Sequence, residues 1–148
     1  MRRHLLLGLL VLLPALAVRA EVIDIGNAEL ARLSAAGVPL IDIRTAAEWQ
    51  DTGIVPGSRL LTFVDPDGRI DAPAWLARVR AIAKPEQPLI LICRSGNRTR
   101  AASQLLAQQA GYRTVYNVKD GVRSWAADGR PLVAAPGALA ACPAGARC

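Results

Sequence analysis

The sequence predicts an α/β fold: an open, mainly parallel five-stranded sheet with helices on both faces. Short apolar runs alternate with amphipathic stretches along most of the chain, which is the pattern of strands that alternate with helices. One run, Pro88–Ile92, is apolar at every position and is typical of a central parallel strand covered on both faces. The 148 residues, 52% of them hydrophobic, suffice for one domain with a buried core, which excludes a wholly disordered chain.

The chain up to residue 64 is predicted as two helices, each followed by a strand. Both helices begin at N-cap signals: Asn27 for the first, and the capping box of Thr45 and Glu48 for the second. The predicted elements are a helix from Asn27 to about Ala36, a buried strand at residues 39–43, a short helix around Trp49, a turn at residues 53–57 and a strand at residues 60–64.

Helices and strands are also predicted to alternate in the second half of the chain. Leu76, Val79 and Ile82 fall three to four residues apart, as on the buried face of a helix. The predicted elements are a helix from about Ala72 to Ala83, a strand at residues 88–92, a loop at residues 93–100, a helix to about Ala110, a strand at residues 114–118 and a short helix at residues 122–127. We expect Trp49 and Trp125 to lie in the core.

The first 20 residues have the proportions of a secretory signal peptide. Arg2 and Arg3 precede a leucine-rich run at residues 5–18, and small residues precede the expected cleavage before Glu21. The run is shorter than the ~20 residues that a membrane-spanning helix needs, so an uncleaved anchor is the less favoured alternative. We therefore expect a secreted or periplasmic protein without stable membrane insertion, exported by the general route rather than the twin-arginine route.

Cleavage would change the charge and the available chemistry. It removes three arginines and lowers the formal net charge from +6 to about +3, with no run of like charges, which disfavours a nucleic-acid surface. It also removes His4, the one histidine of the chain. Residues 21–148 therefore lack Ser-His and Cys-His pairs, histidine general bases and histidine metal ligands. We expect no metal and no organic cofactor.

Three cysteines remain in the mature chain: Cys93, Cys142 and Cys148. No CxxC occurs, which disfavours a zinc knuckle and a thioredoxin-type pair. Cys142 and Cys148 belong to the Ala/Pro/Gly-rich segment 133–148, which we predict to be a tail outside the core. A disulfide between these two is the simpler expectation in an oxidising compartment. The alternative is that one of them resolves an oxidised Cys93.

Cys93 is predicted to end the central strand, at the edge of the sheet where open α/β folds bind ligands. Gly96 lets the backbone curl, and a helix follows, so loop N–H groups and the positive helix end point at the sulfur. Arg94, Arg98 and Arg100 add permanent positive charge. These features favour a thiolate nucleophile that needs no histidine. A buried, inert cysteine is the alternative, and the neighbouring arginines argue against it.

The segment Cys93–Thr99 (CRSGNRT) resembles the active-site loop of rhodanese-like sulfurtransferases. Residues 40–44, Glu48-Trp49 and residues 53–58 resemble the first signature of that family; residues 115–118, Gly121, Trp125, Gly129 and Pro131 resemble its closing one. The resemblance spans about Ile23 to Pro131 and implies a rhodanese-like domain at residues 21–132. Two positions depart from it: Ile54 stands where the family usually has histidine, and Asp120 stands where it has the first of two glycines.

The resemblance implies a catalytic Cys93 that takes a sulfane sulfur, for example from thiosulfate, becomes a persulfide and passes the sulfur to a thiol or cyanide. It implies a substrate- and persulfide-binding loop of Arg94, Ser95, Gly96, Asn97, Arg98 and Thr99. Asp42 and Arg44 are implied to support the fold and the loop rather than to react. The implied partners are a small sulfur donor and a thiophilic acceptor, or an exported thiol protein.

Loop length separates this interpretation from a related one. Phosphatases and arsenate reductases of similar fold use Cys-x5-Arg, whereas Cys93 and Arg98 form Cys-x4-Arg, a tighter ring suited to one sulfur atom rather than an oxyanion. A persulfide carrier or protein-interaction module without turnover would have the same loop and is the second hypothesis. A scaffold without chemistry is the third, although such versions usually lack the cysteine.

Overall fold

The structure, a computed structural model, describes residues 20–135. The predicted signal segment up to residue 19 and the two tail cysteines, Cys142 and Cys148, lie outside this range. Within it, no helix has both the length and the apolar character that crossing a membrane requires.

In the described residues, five strands form one open sheet in which every neighbouring pair is parallel. The strands are β1 (Glu21–Ile25), β2 (Leu40–Asp42), β3 (Arg59–Leu60), β4 (Leu89–Ile92) and β5 (Thr114–Val118). Their order is β1-β5-β4-β2-β3, so β4 is the central strand. The segment that follows β4 therefore lies at the middle of the row formed by the carboxyl ends of the strands. The predicted fold class is confirmed.

Helices cover both faces, because the side chains of β4 alternate between two apolar clusters. The helices are α1 (Asn27–Ala35), α2 (Ala46–Thr52), α3 (Ala72–Ile82), α4 (Asn97–Gln109) and α5 (Gly121–Ala127). Ile90 and Ile92 pack with α1 and α5, whereas Leu89 and Leu91 pack with α3 and α4. Trp49 and Trp125 are buried, at 3% and 6% exposure, as predicted.

Two predictions of secondary structure in the first half of the chain were wrong. The N-cap of α1 is Gly26, and Asn27 is the first helical residue; its amide donates instead to Ser124 Oγ (3.0 Å) and Asp128 Oδ2 (2.7 Å), which joins α1 to α5. The strand predicted at residues 60–64 is only Arg59–Leu60. The alternating apolar residues behind it are buried, so their pattern reports burial rather than a regular strand.

The chain continues as part of the domain beyond residue 132. Val133 and Ile54 exchange two backbone hydrogen bonds, each of 2.9 Å, and Ala135 packs against Trp49 and Ile54. We call residues 131–135 the strap. Ile54 stands where the family that this sequence resembles usually has histidine. It is 3% exposed and belongs to the apolar cluster with Trp49 and Ala135. The tail predicted from residue 133 therefore does not begin there.

Candidate active site

Cys93 is the first residue after the central strand and is a free, buried cysteine. The backbone N–H of Gly96 donates a hydrogen bond to its Sγ at 3.2 Å. Gly96 has φ +90° and is the N-cap of α4, so the loop is shorter than the predicted 93–100 and the residues from Asn97 onward belong to the helix. A Cβ at position 96 would also clash with the backbone carbonyl of Lys119, so only glycine fits there.

Thr99 is the second residue in contact with the sulfur. Its Oγ1 lies 3.6 Å from Cys93 Sγ and donates to the carbonyl of Gly96 at 2.9 Å, and the side chain is fully buried. A hydroxyl has one proton to donate. A protonated Cys93 would therefore donate to Thr99 Oγ1, whereas an ionised sulfur would attract the hydroxyl proton to itself.

Backbone atoms of α5 hold the loop from the other side. Val122 N donates to the carbonyl of Cys93 (2.9 Å), and Arg123 N donates to the carbonyl of Arg94 (3.2 Å). Gly121 lies at φ +64°, and a Cβ there would be 2.5 Å from both carbonyl oxygens. The close approach of α5 to the loop therefore requires glycine at position 121.

Arg98, in the first turn of α4, is bound by a carboxylate. Its two terminal nitrogens donate to the two oxygens of Glu48 at 2.6 and 2.7 Å. This bidentate contact is the main reason why the pKa of Glu48 falls to about 2, and hydrogen bonds from Thr45 also lower it. The pKa of Arg98 is raised, chiefly by its hydrogen bonds to Glu48. The guanidinium is thus charged and committed to a partner within the protein.

Glu48 is the site residue that sequence reasoning missed. The sequence indicated only its part in a capping box, which does form, and in the first family-like signature. One signal could have indicated a role at the site: Glu48 belongs to the first family-like signature, and the two signatures lie on either side of the Cys93 loop in the sequence.

Asp42 and Arg44 form a buried ion pair, at 0% and 1% exposure. Arg44 Nη2 lies 2.7 Å from Asp42 Oδ2, and Arg44 Nε donates to Asp42 Oδ1 at 3.0 Å. Arg44 also donates to Thr52 Oγ1 (2.6 Å) and to the carbonyl of Gly53 (2.8 Å). The pair therefore joins the end of β2 to α2, the helix that carries Glu48.

The remaining predicted site residues are at the surface. Arg94, Ser95 and Asn97 are exposed or partly so, and Arg100 is exposed in the first turn of α4. Of these, Arg94 lines a cavity of about 340 Å³ that opens beside the loop. The cavity wall includes charged residues and apolar residues: Glu48, Asp51, Arg123, Val122, Ala126 and Leu132. Between residues 20 and 135 no three His, Cys, Asp or Glu side chains are grouped so that they could hold a metal ion.

Comparison with known proteins agrees with this geometry. Residues 27–128 match the family model described as rhodanese-like domain. A sulfurtransferase of Allochromatium vinosum is 35% identical over 101 residues, which cover 68% of this chain and 82% of that protein. Thiosulfate sulfurtransferase 18 of Arabidopsis thaliana is 26% identical over 117 residues, covering 76% and 84%.

A comparison with solved structures agrees with the observed fold. The crystal structure of Rv0390 from M. tuberculosis superimposes with a TM-score of 0.65 at 24% identity, covering 78% of this chain and 99% of that one. The sequence relatives support a sulfurtransferase-type role. Because a family match over most of the domain accompanies the five-stranded parallel sheet, the chain belongs to the rhodanese-like domain family.

Proposed function

We propose that this protein is an exported sulfurtransferase that moves a sulfane sulfur, for example from thiosulfate, through a persulfide on Cys93 to a thiol or to cyanide. The observation that carries the proposal is the placement of Cys93: a free cysteine at the end of the central strand, whose Sγ accepts the Gly96 N–H at the start of α4. Export rests on the composition of residues 1–20.

The reaction needs a nucleophilic sulfur and a good leaving group at each step. The Cys93 thiolate attacks the outer sulfur of thiosulfate, a new S–S bond forms, and the old one breaks with both electrons leaving on sulfite. The acceptor then attacks the outer sulfur of the persulfide, and the electron pair returns to Cys93 Sγ. Cyanide becomes thiocyanate, and a thiol becomes a persulfide.

The local geometry favours negative charge on both sulfur species. The Gly96 N–H and the positive end of α4 stabilise the thiolate, and the Thr99 hydroxyl is close enough to turn towards it. In the persulfide, the outer sulfur lies about 2 Å beyond Sγ.

The same contacts argue against a phosphatase. Hydrolysis of a phosphate ester requires donors aimed at an oxyanion, and the arginine of the Cys-x4-Arg loop is instead bound by Glu48 through both terminal nitrogens. Two of the five N–H donors of Arg98 are therefore already used by Glu48, which leaves fewer of them for an oxyanion.

Mass measurement tests the proposal directly. The purified protein is incubated with thiosulfate or polysulfide, and its intact mass should rise by one sulfur atom. Cys93→Ser should take up none, whereas the double variant Cys142→Ser/Cys148→Ser should load normally. Addition of cyanide should return the mass to its starting value and yield thiocyanate. Failure to load from either donor would contradict the proposal, and loading without discharge to any small acceptor would favour the carrier hypothesis.

Export has a separate test. The chain, expressed in a Gram-negative host, should be found in the periplasmic fraction, with Glu21 as the N-terminal residue of the mature protein. A cytoplasmic protein that begins at Met1 would contradict this part of the proposal and leave the sulfur chemistry unaffected.

A further inference from the structure

The cavity beside the loop contains charges that the protein has already paired. Glu48 is bound to Arg98, and Arg44, which also lines the cavity, is bound to Asp42. Because each pair is held by two or more hydrogen bonds, these four side chains contribute little net charge to a molecule that enters the cavity.

Arg94 and Arg123 differ from these pairs. Both line the cavity and both are exposed, and neither forms a salt bridge within residues 20–135. Their backbones are joined, since Arg123 N donates to the carbonyl of Arg94 at 3.2 Å. Two unpaired guanidinium groups are therefore carried by two joined segments: Arg94 follows Cys93 in the chain, and Arg123 follows Val122, whose N–H binds the carbonyl of Cys93. Asp51 is the one carboxylate on the wall that is likewise unpaired in the described structure, so the unpaired charge is positive overall.

The rest of the wall is apolar and the cavity is small. Val122 and Ala126 of α5 and Leu132 of the strap supply carbon surface. A volume of about 340 Å³ lies at the lower end of the range of small-molecule sites. Such a cavity suits a short aliphatic chain with a carboxylate at one end, because the chain meets the apolar wall and the carboxylate meets the arginines.

We propose that this cavity binds the acceptor, that the acceptor is a small thiol with a carboxylate group, and that Arg123, assisted by Arg94, is the specificity-determining residue. The inference rests on the proposed sulfurtransferase function and adds the acceptor class to it. In the step itself, the acceptor thiolate bonds to the outer sulfur of the persulfide and the electron pair of the broken S–S bond returns to Cys93. The carboxylate is unchanged and serves only to hold the acceptor.

Three thiols of similar size separate charge recognition from general reactivity. They are 3-mercaptopropionate, 2-mercaptoethanol and cysteamine, which carry a negative, a neutral and a positive group. Cys93 is first loaded with sulfur, excess donor is removed, and the loss of the added sulfur is followed against thiol concentration. Removing the donor matters because thiosulfate is itself an anion that the arginines would attract.

The variants are Arg123→Gln, which removes the charge, and Arg123→Lys, which keeps it. Arg113→Gln is the matched control, because Arg113 is also an exposed arginine but precedes the amino-terminal end of β5, whereas Cys93 follows the carboxyl end of β4. The preference for 3-mercaptopropionate over 2-mercaptoethanol should fall about five-fold in Arg123→Gln, through a higher half-saturating concentration. Arg123→Lys should recover at least half of that loss, and Arg113→Gln should keep the preference of the parent protein.

Two results would overturn the inference. One is an equal change for all three thiols in Arg123→Gln, which would indicate a structural effect. The other is an unchanged preference despite normal sulfur loading, which would refute the inference and leave the proposed function intact. Absence of sulfur loading in the parent protein from both thiosulfate and polysulfide would refute the function and the inference together.

Discussion

Glu48 in α2 binds Arg98 in α4 through two hydrogen bonds, although 50 residues separate them in the chain. The contact joins the helix after β2 to the helix after β4, and it fixes the guanidinium of Arg98 against α2. Glu48 is itself held by Thr45, and α2 is held by Arg44. The position of Arg98 therefore depends on the buried pair of Asp42 and Arg44 as well as on Glu48.

Loss of the Glu48 charge should destabilise the protein modestly. Glu48→Gln can keep the contact with Thr45 but weakens the one with Arg98, and we expect the free energy of unfolding to fall by about 1 kcal/mol, since both partners are a quarter exposed. Glu29→Gln is the control, because Glu29 pairs with Arg32 in an exposed contact. Urea titration measures both, and a loss no larger than that of Glu29→Gln would contradict the prediction.

The same pair predicts a pH dependence. The pKa of Glu48 is lowered from 4.5 to about 2 in the folded protein, chiefly by Arg98. A carboxyl group with a lowered pKa stabilises the fold at pH values above its unfolded pKa, and this stabilisation is lost as the pH falls from about 4.5 to about 2. The stability difference between the parent protein and Glu48→Gln should therefore be constant near pH 6 and narrow below pH 4.5. A difference independent of pH over this range would argue against the pair.

The buried pair of Asp42 and Arg44 should contribute far more to stability when only one partner is removed. Asp42→Asn leaves the Arg44 cation buried without its counter-charge, and we expect a loss of about 3–5 kcal/mol. The double variant Asp42→Leu/Arg44→Met removes both charges and should lose less than the single one. Denaturant unfolding of the two variants checks this order, and a single variant that loses no more stability than the double variant would refute it.

Thr99 should affect the reactivity of the sulfur through its hydroxyl. Thr99→Val keeps the shape but removes the group that lies 3.6 Å from Cys93 Sγ, and we expect sulfur uptake from thiosulfate to slow about ten-fold, the effect of one hydrogen bond to a charged group. Thr99→Ser keeps the hydroxyl and should remain within about three-fold of the parent, a difference below about 1 kcal/mol. Mass measurement on samples quenched at successive times gives both rates, and equal rates for the two variants would show that the hydroxyl plays no part.

Gly121 and Gly129 offer a matched pair for the close approach of α5 to the loop. Both have positive φ, +64° and +67°, but a Cβ at 121 meets the loop carbonyls whereas one at 129 meets nothing within 4 Å. Gly129→Ala should cost about 1 kcal/mol from backbone strain alone. Gly121→Ala should cost clearly more and should also slow sulfur uptake, because α5 must move away from Cys93. Equal losses of stability with unchanged uptake would contradict this account.

The sequence was informative where the signal was local. An uninterrupted apolar run at Pro88–Ile92 located the central strand, and the residues after it located the loop. The capping box of Thr45 and Glu48 also formed as predicted. These features depend on neighbours within a few residues, which a single sequence displays directly.

Long-range contacts left little local trace. The bond between Glu48 and Arg98 was hidden because capping already explained the glutamate. Asn27 is of a residue type that favours the N-cap, yet the N-cap of α1 is Gly26. Asn27 is the first helical residue, and its side-chain amide donates to Ser124 and Asp128. The bridge of Val133 to Ile54 joins a low-complexity segment to a distant turn, and composition alone assigned that segment to a tail.

The loop that holds Cys93 is fastened by main-chain atoms of Val122 and Arg123 rather than by their side chains. The amide that anchors the loop remains whichever residue other than proline stands at position 123. Substitution of Arg123 therefore changes the side chain that contacts the proposed acceptor, while the backbone contact that holds the Cys93 loop is kept. Directed evolution of new sulfur recipients should begin at that position.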